Sequence, residues 1–180
     1  MDRRRIFKGS GRSEREVEVL LQNLLVTEAL VPSESLWLIS PWVTDIEVVD
    51  NRAAGFAGIE PLWPQRWLRL SEILASLAQR GTSIVVATRS DEHNLPFHRR
   101  LNAAAAAVGS SELIRIVIDE SDEQHEKGLL GDGFFLSGSM NFTVRGVRLN
   151  DEVVTVTLDP DEIAQARINM RDRYGVNPDV

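Results

Sequence analysis

The chain has 180 residues, 43% of them apolar, a formal net charge of −7 and no cysteine. That length favours one domain with a hydrophobic core, and the missing thiols exclude disulfides and thiolate metal sites. No apolar run is long enough to cross a bilayer, and no apolar leader follows the charged start MDRRRIFKGSGR, so the expectation is a cytoplasmic protein without membrane insertion.

The charge is unevenly spread. Arg3, Arg4, Arg5, Lys8, Arg12 and Arg15 stand against only Asp2 and Glu14 near the N-terminus, which leaves the rest strongly acidic. Residues 1–13 read as a flexible basic arm able to touch phosphates or an acidic partner, 14–175 as the folded domain and 176–180 as a tail. An acidic body argues against coating long stretches of DNA by charge alone, but it leaves room for one local basic cleft.

Residues 14–30 predict a helix, with Val17, Leu20, Leu21, Leu24 and Leu25 on one face. Pro32 and Ser33 stop it. Leu36–Ser40 is a short apolar run typical of a buried strand, with Trp37 in the core. Thr44–Gly58 has no steady period and reads as a loop with a short strand. Residues 65–79 predict a second helix, ended at Gly81, and Thr82–Arg89 a second strand. A third helix runs from Pro96 to Val108, and Leu113–Asp119 is a third strand. The strand–helix alternation points to a parallel sheet with covered faces. Asp132-Gly133 then marks a hairpin, Glu152–Leu158 another strand and 160–174 a last helix. The expected fold is α/β, a single mixed and mostly parallel sheet flanked by helices.

The chemistry concentrates in HEKGLLGDGFFLSGSMN, His125 to Asn141. On a strand, residues two apart face one side, so His125 and Lys127 project together, as do Ser139 and Asn141 across the hairpin. An imidazole, an ammonium, a hydroxyl and a carboxamide make a phosphate site in which the histidine serves as nucleophile or acid–base group. Lys8 and Lys127 are the only lysines in a chain that otherwise uses arginine. A compact ammonium beside the histidine is therefore a chemical requirement rather than a general preference for charge. Arg89 and His93, in loops after a strand, are candidate substrate contacts at the rim, with Asp45, Asp50 and Asp91 nearby. Trp42, Trp63 and Trp67 suit a site cover or a subunit contact, and His98 reads as a helix residue without special task.

His125, Lys127, Asp132, Gly138, Ser139 and Asn141 resemble the HKD motif of the phospholipase D superfamily. Five residues separate Asp132 from Gly138 where six are usual, which bears on the facing of Ser139 and Asn141. Asn150-Asp151-Glu152 is similar to the family's downstream N-x-E. The resemblance implies catalysis by His125, Lys127, Asn141 and Glu152, with Asp132, Gly138 and Ser139 in support and Glu152 orienting the histidine. It also implies a phosphohistidine intermediate, no cofactor and no required divalent metal. One motif per chain implies the single-motif, Nuc-like endonuclease branch, in which a homodimer shares one site at its axis. The loops SPWVTDIEVVDN, DEHN and HEKGLLGD further resemble the DpdK family of 7-deazaguanine DNA modification and restriction clusters. That implies a bacterial defence setting with protein partners, and DNA rather than RNA as substrate. A non-catalytic binding subunit and a phospholipase or phosphatidyl transferase are the alternatives.

Overall fold

The runs that read as buried strands form the middle of one sheet. The computed structural model describes residues 3–8, 14–120 and 126–175. In chain order these form β1 (Arg3–Lys8), α1 (Glu14–Leu30), β2 (Ser35–Ile39), β3 (Glu47–Asp50), β4 (Trp67–Arg69), α2 (Leu70–Gln79), β5 (Ser83–Arg89), α3 (Leu95–Val108), β6 (Ile114–Asp119), β7 (Gly128–Leu130), β8 (Phe135–Gly138), β9 (Glu152–Thr157) and α4 (Pro160–Tyr174). The main sheet has the order β1-β9-β8-β7-β2-β5-β6, and β3 and β4 make a second, two-stranded sheet.

Helices cover both faces of the main sheet. On one face α1 contributes Val17, Leu21 and Leu25, α2 contributes Leu70, Ile73, Leu74 and Leu77, and α3 contributes Phe97 and Leu101. They pack on Leu36, Leu38, Ile84, Val86, Leu129, Leu136 and Val154. On the other face α4 sets Ile163, Ala166, Met170 and Tyr174 against Trp37, Ile39, Val85, Ala87 and Leu130. Alternate residues of β2 and β5 thus serve opposite cores, which is why Leu36–Ile39 and Ile84–Ala87 are apolar at every position.

The mixed α/β sheet flanked by helices is as expected, with three corrections. Only the β2–β5 and β5–β6 pairs are parallel; β2–β7, β7–β8, β8–β9 and β9–β1 are antiparallel. Only the 131–134 link of the β7–β8 hairpin is too short for a parallel crossover; the other antiparallel pairs follow from the direction in which the hairpin docks beside β2. Residues 3–8, expected in a flexible arm, instead pair along their whole length with β9, from Arg3 opposite Thr157 to Lys8 opposite Glu152. A single inward apolar residue, Ile6, is buried, so the local pattern looks like a charged tail until the β9 edge supplies its hydrogen bonds. Finally, Trp67–Arg69 is strand rather than the start of a helix, because β3 pairs with it.

The β7–β8 hairpin turns at Asp132-Gly133, with Gly131 N–H donating to Phe134 O at 3.1 Å. Its turn end is anchored to the rest of the sheet. Asp132 accepts from the Glu34 N–H at 2.7 Å and pairs with Arg167 at 2.7 Å, while its own N–H donates to Ser33 Oγ at 2.7 Å. Ser33 in turn donates its hydroxyl and its N–H to the buried Glu28 carboxylate, at 2.8 and 3.0 Å. A Cβ on Gly131 would lie 2.6 Å from that carboxylate, so glycine is required for this approach.

Burial raises the Glu28 pKa above its ordinary 4.5, against the lowering effect of the Ser33 hydrogen bonds. The folded chain then keeps this proton over a pH range in which the unfolded chain has released it. Stability therefore falls as pH rises through the window that starts at about 4.5, and levels off above the folded pKa. Glu28→Gln removes this contribution, so the stability difference between wild type and variant should change in favour of the variant as pH rises through that window. Urea denaturation of both proteins between pH 4 and pH 7 measures it, and a pH-independent difference contradicts the assignment.

Candidate active site

One edge of the sheet collects the polar residues. β2 and β5 end there, β7 and β9 begin there and β8 ends there, because the hairpin strands alternate in direction beside the parallel pair. This brings Ser40, Arg89, Lys127, Ser139, Asn141 and Glu152 to the same end of the sheet from positions far apart in sequence.

Lys127 lies opposite Gly138, whose N–H donates to the Lys127 carbonyl at 3.3 Å. Strand alternation puts Lys127 on the side of Leu129, and Glu152 on the side of Val154, both of which belong to the core beneath α1–α3. The ammonium of Lys127 is half-buried. Desolvation is the largest influence and lowers its pKa; Glu152 acts to raise it and Arg89 to lower it further. Lys127, Glu152 and Arg89 are thus electrostatic neighbours. The expected nucleophile, His125, lies outside the described residues.

Ser139 was expected to donate to phosphate. Its hydroxyl instead donates to Glu152 Oε2 and accepts from the Val153 N–H at 3.0 Å, while its N–H donates to the Val153 carbonyl at 3.0 Å. Asn150 Nδ2 is 3.5 Å from the other oxygen of Glu152. Ser139 and Asn150 therefore fix the carboxylate that faces Lys127. Gly138 makes this possible: its φ is +155°, and a Cβ there would sit 2.0 Å from the Val153 carbonyl oxygen.

Asn141 is half-buried, and its Oδ1 lies 3.3 Å from Ser40 Oγ, which also donates to the Trp42 carbonyl at 2.8 Å and accepts from the Phe142 N–H at 3.3 Å. That contact ties the Asn141 carboxamide to Ser40, whose single hydroxyl proton is shared with the nearer Trp42 carbonyl. The wide, π-type turn at 145–149 closes directly on Asn141, where a Cβ on Gly146 would be 2.2 Å from the Asn141 carbonyl oxygen.

The structure brings together Lys127, Asn141, Glu152, Gly138, Ser139 and Arg89. It leaves Asp132 out, at the opposite end of β7 in the turn anchor. His93 is one loop away at the exposed rim, its Nε2 3.1 Å from Thr44 Oγ1. Arg89 is half-buried, its guanidinium carbon 5.7 Å from the centre of the Trp42 ring. Of the rim aspartates, Asp45 accepts from the Ser71 N–H at 2.9 Å at the start of α2, and Asp50 pairs with Arg52. Asp91 accepts from Trp42 Nε1 and the His93 N–H, both at 2.8 Å. Trp63 is buried and donates to Ser76 Oγ at 3.0 Å, so it is a core residue. His98 is buried against Thr88 Oγ1 at 3.1 Å, and burial lowers its pKa.

Two residues escaped the sequence reading. Ser40 orients Asn141, and the fully buried Asn94 joins the loops after β2 and β5 through the Val43 N–H and the carbonyls of Pro41 and Arg89, at 2.8–3.0 Å. The available signal for Ser40 was a polar residue directly after an apolar strand; Asn94, five residues beyond β5, carried none. Among the described residues no group of three or more histidines and carboxylates is placed to hold a metal ion.

Gly138→Ala should cost about 1–3 kcal/mol of stability, because the new methyl meets a backbone carbonyl rather than a movable side chain. Chemical denaturation measures the loss, and an unchanged midpoint contradicts the close β8–β9 crossing.

Residues 64–173 match the family described as cardiolipin synthase, PLD-like domain. No curated protein matches the chain. Solved structures share its fold. NucT from Helicobacter pylori superposes with a TM-score of 0.58 at 13% identity, covering 95% of each chain. The phospholipase D family member Nuc from Salmonella typhimurium gives 0.57 at 17% identity, over 96% of this chain and 93% of its own. Phosphatidylserine synthase from Haemophilus influenzae gives 0.57 at 14% identity, over 95% of this chain and 38% of its own. With the family match spanning β4 to α4, Lys127 and Glu152 included, the chain belongs to the PLD-like domain family.

Proposed function

We propose that the chain is a phosphodiesterase that cleaves nucleic acid, DNA in preference to RNA, through a phosphohistidine intermediate at a site shared by two copies. The observation that carries this reading is the convergence of Lys127, Asn141 and a Glu152 held by Ser139 at one end of the sheet, two residues from His125. An imidazole nitrogen of His125 attacks phosphorus. The bond to the leaving oxygen breaks, and the equivalent histidine of a second copy protonates that oxygen. Water then attacks the phosphohistidine, giving its proton to the second imidazole, and the P–N bond breaks to restore His125. One imidazole cannot serve both sides of an in-line displacement, which is the reason for the homodimer. Lys127 and the Asn141 amide neutralise the nonbridging oxygens, so no divalent metal is required. Glu152 orients the histidine ring.

The proposed setting is the cytoplasm of a bacterium, in a DNA modification and restriction system of the DpdK type, with other defence proteins as partners. A lipid substrate is the second reading.

The test is digestion of single- and double-stranded DNA, RNA and a phosphatidyl substrate in EDTA. DNA cleavage should survive the chelator and disappear in His125→Ala. Lys127→Arg should stay folded yet lose on the order of 10²-fold in single-turnover rate, since the wider guanidinium displaces the phosphate. Cleavage that needs magnesium contradicts the histidine mechanism, and a fully active monomer contradicts the shared site. A protein that binds DNA without cutting it is a non-catalytic subunit.

The pH profile gives a separate check. Burial and Arg89 lower the Lys127 pKa from 10.5 while Glu152 opposes them, so the ammonium is lost at a lower pH than for a solvated lysine. Removing the opposing charge in Glu152→Gln should move the alkaline limb of kcat/KM to still lower pH, besides reducing the rate. An unmoved limb contradicts the coupling of these two groups.

A further inference from the structure

The two faces of the sheet are not equally covered. α4 packs on β2, β5 and β7, and β9 and β1 contribute no apolar residue to that second core among the described residues. On this side β1 presents Arg3, Arg5 and Phe7, opposite the buried Thr157 and the half-buried Thr155 and Val153. Arg4 and Ile6 point the other way, toward α1, where Arg4 pairs with Glu16 at 3.3 Å. Phe7 is 66% exposed, and the Arg5 guanidinium carbon lies over its ring at 4.9 Å from the centre. Arg3 is 64% exposed and 3.6 Å from Glu162, which is itself 46% exposed.

We infer that this side of β1 is a track for single-stranded nucleic acid that runs along the sheet edge to the strand ends of the active site, on the face opposite the Lys127 and Glu152 side chains, so that the bound strand passes over the end of the sheet to reach them. An exposed ring flanked by an arginine is a platform for an unstacked base, while arginines at every second strand position offer charge along a backbone. A duplex keeps its bases stacked inside and cannot use the ring. Charge complementarity selects a polyanion over a second copy of the chain, whose own Arg3 and Arg5 would repel these. The four steps from Arg3 to Phe7 give a track of about 13 Å. Its inner end is fixed to the site, since Phe7 pairs with Val153, whose N–H and carbonyl hold Ser139, the residue that fixes Glu152. The inference rests on the nucleic-acid reading of that site and adds a strand preference and a direction of approach.

The experiment titrates the intact protein into a fluorescent 20-nucleotide single-stranded DNA at several salt concentrations. In parallel it measures hydrolysis of bis(4-nitrophenyl) phosphate, a diester too small to reach β1. Arg5→Gln and Phe7→Leu should each weaken oligonucleotide binding several-fold and leave small-diester hydrolysis unchanged. The Arg3→Gln/Arg5→Gln double variant should reduce the slope of log K against log salt by about 0.7 for each arginine. Arg4→Gln, on the opposite side of the same strand, is the control and should bind as wild type. Equal loss in Arg4→Gln, unchanged binding in Arg5→Gln and Phe7→Leu, or a dimer that dissociates on sedimentation of Phe7→Leu each overturns the track. A wild type that hydrolyses the small diester but does not bind the oligonucleotide also overturns it and leaves the phosphodiesterase standing. A wild type that binds the oligonucleotide through Arg5 and Phe7 but hydrolyses no diester overturns the catalytic reading alone.

Discussion

The placement of the β7–β8 hairpin against β2 governs the rest of the structure. Three residues of β7 run antiparallel to the end of β2, so the start of one strand meets the finish of the other. Both ends of the hairpin are fixed by polar contacts. At the turn, Asp132 engages Arg167 of α4 and the backbone at Glu34, and Gly131 closes on Glu28. At the open end, Gly138 pairs with Lys127 and lets the Val153 carbonyl approach where no side chain would fit. A shift of one residue would turn Lys127 into the α4 face and separate it from Glu152.

This arrangement divides the 127–141 stretch into two tasks. Asp132 and Lys127 are five positions apart, yet they sit at opposite ends of one short strand. The aspartate sets the register with partners from two other parts of the chain, Ser33-Glu34 and Arg167. The lysine is carried to the strand ends as a consequence. Ser139 belongs to the second task in an indirect way, since its hydroxyl is committed to Glu152. The carboxylate then acts on the Lys127 ammonium, which burial and Arg89 would otherwise discharge more readily. The five-residue spacing between Asp132 and Gly138 is compatible with the Lys127–Gly138 pairing.

The uncovered part of the sheet has a related origin. α4 follows β9 but packs over β2, β5 and β7, where Trp37, Val85 and Leu130 offer a broad apolar surface. β9 and β1 are left with Val153, Thr155, a buried Thr157, two arginines and one phenylalanine on that side. The same crossover that completes the second core therefore keeps a polar strip open beside the site.

The sequence by itself determined the α/β class and the principal helices, because these depend on local patterns. α1 and α4 fall where the periodicity and caps put them, with Asp159 accepting the first N–H groups of α4. Lys127 was marked by its chemistry and by the scarcity of lysine. Tertiary structure alone decided the remaining features, because each depends on a partner distant in the chain. β1 is a strand only because β9 presents an edge, and β4 only because β3 does. Ser40 and Asn94 gain their roles from Asn141, 101 residues away, and from loops that meet only when β2 and β5 lie side by side. Strand pairing and hydrogen bonding between such segments follow from sheet order, which no short window of sequence encodes.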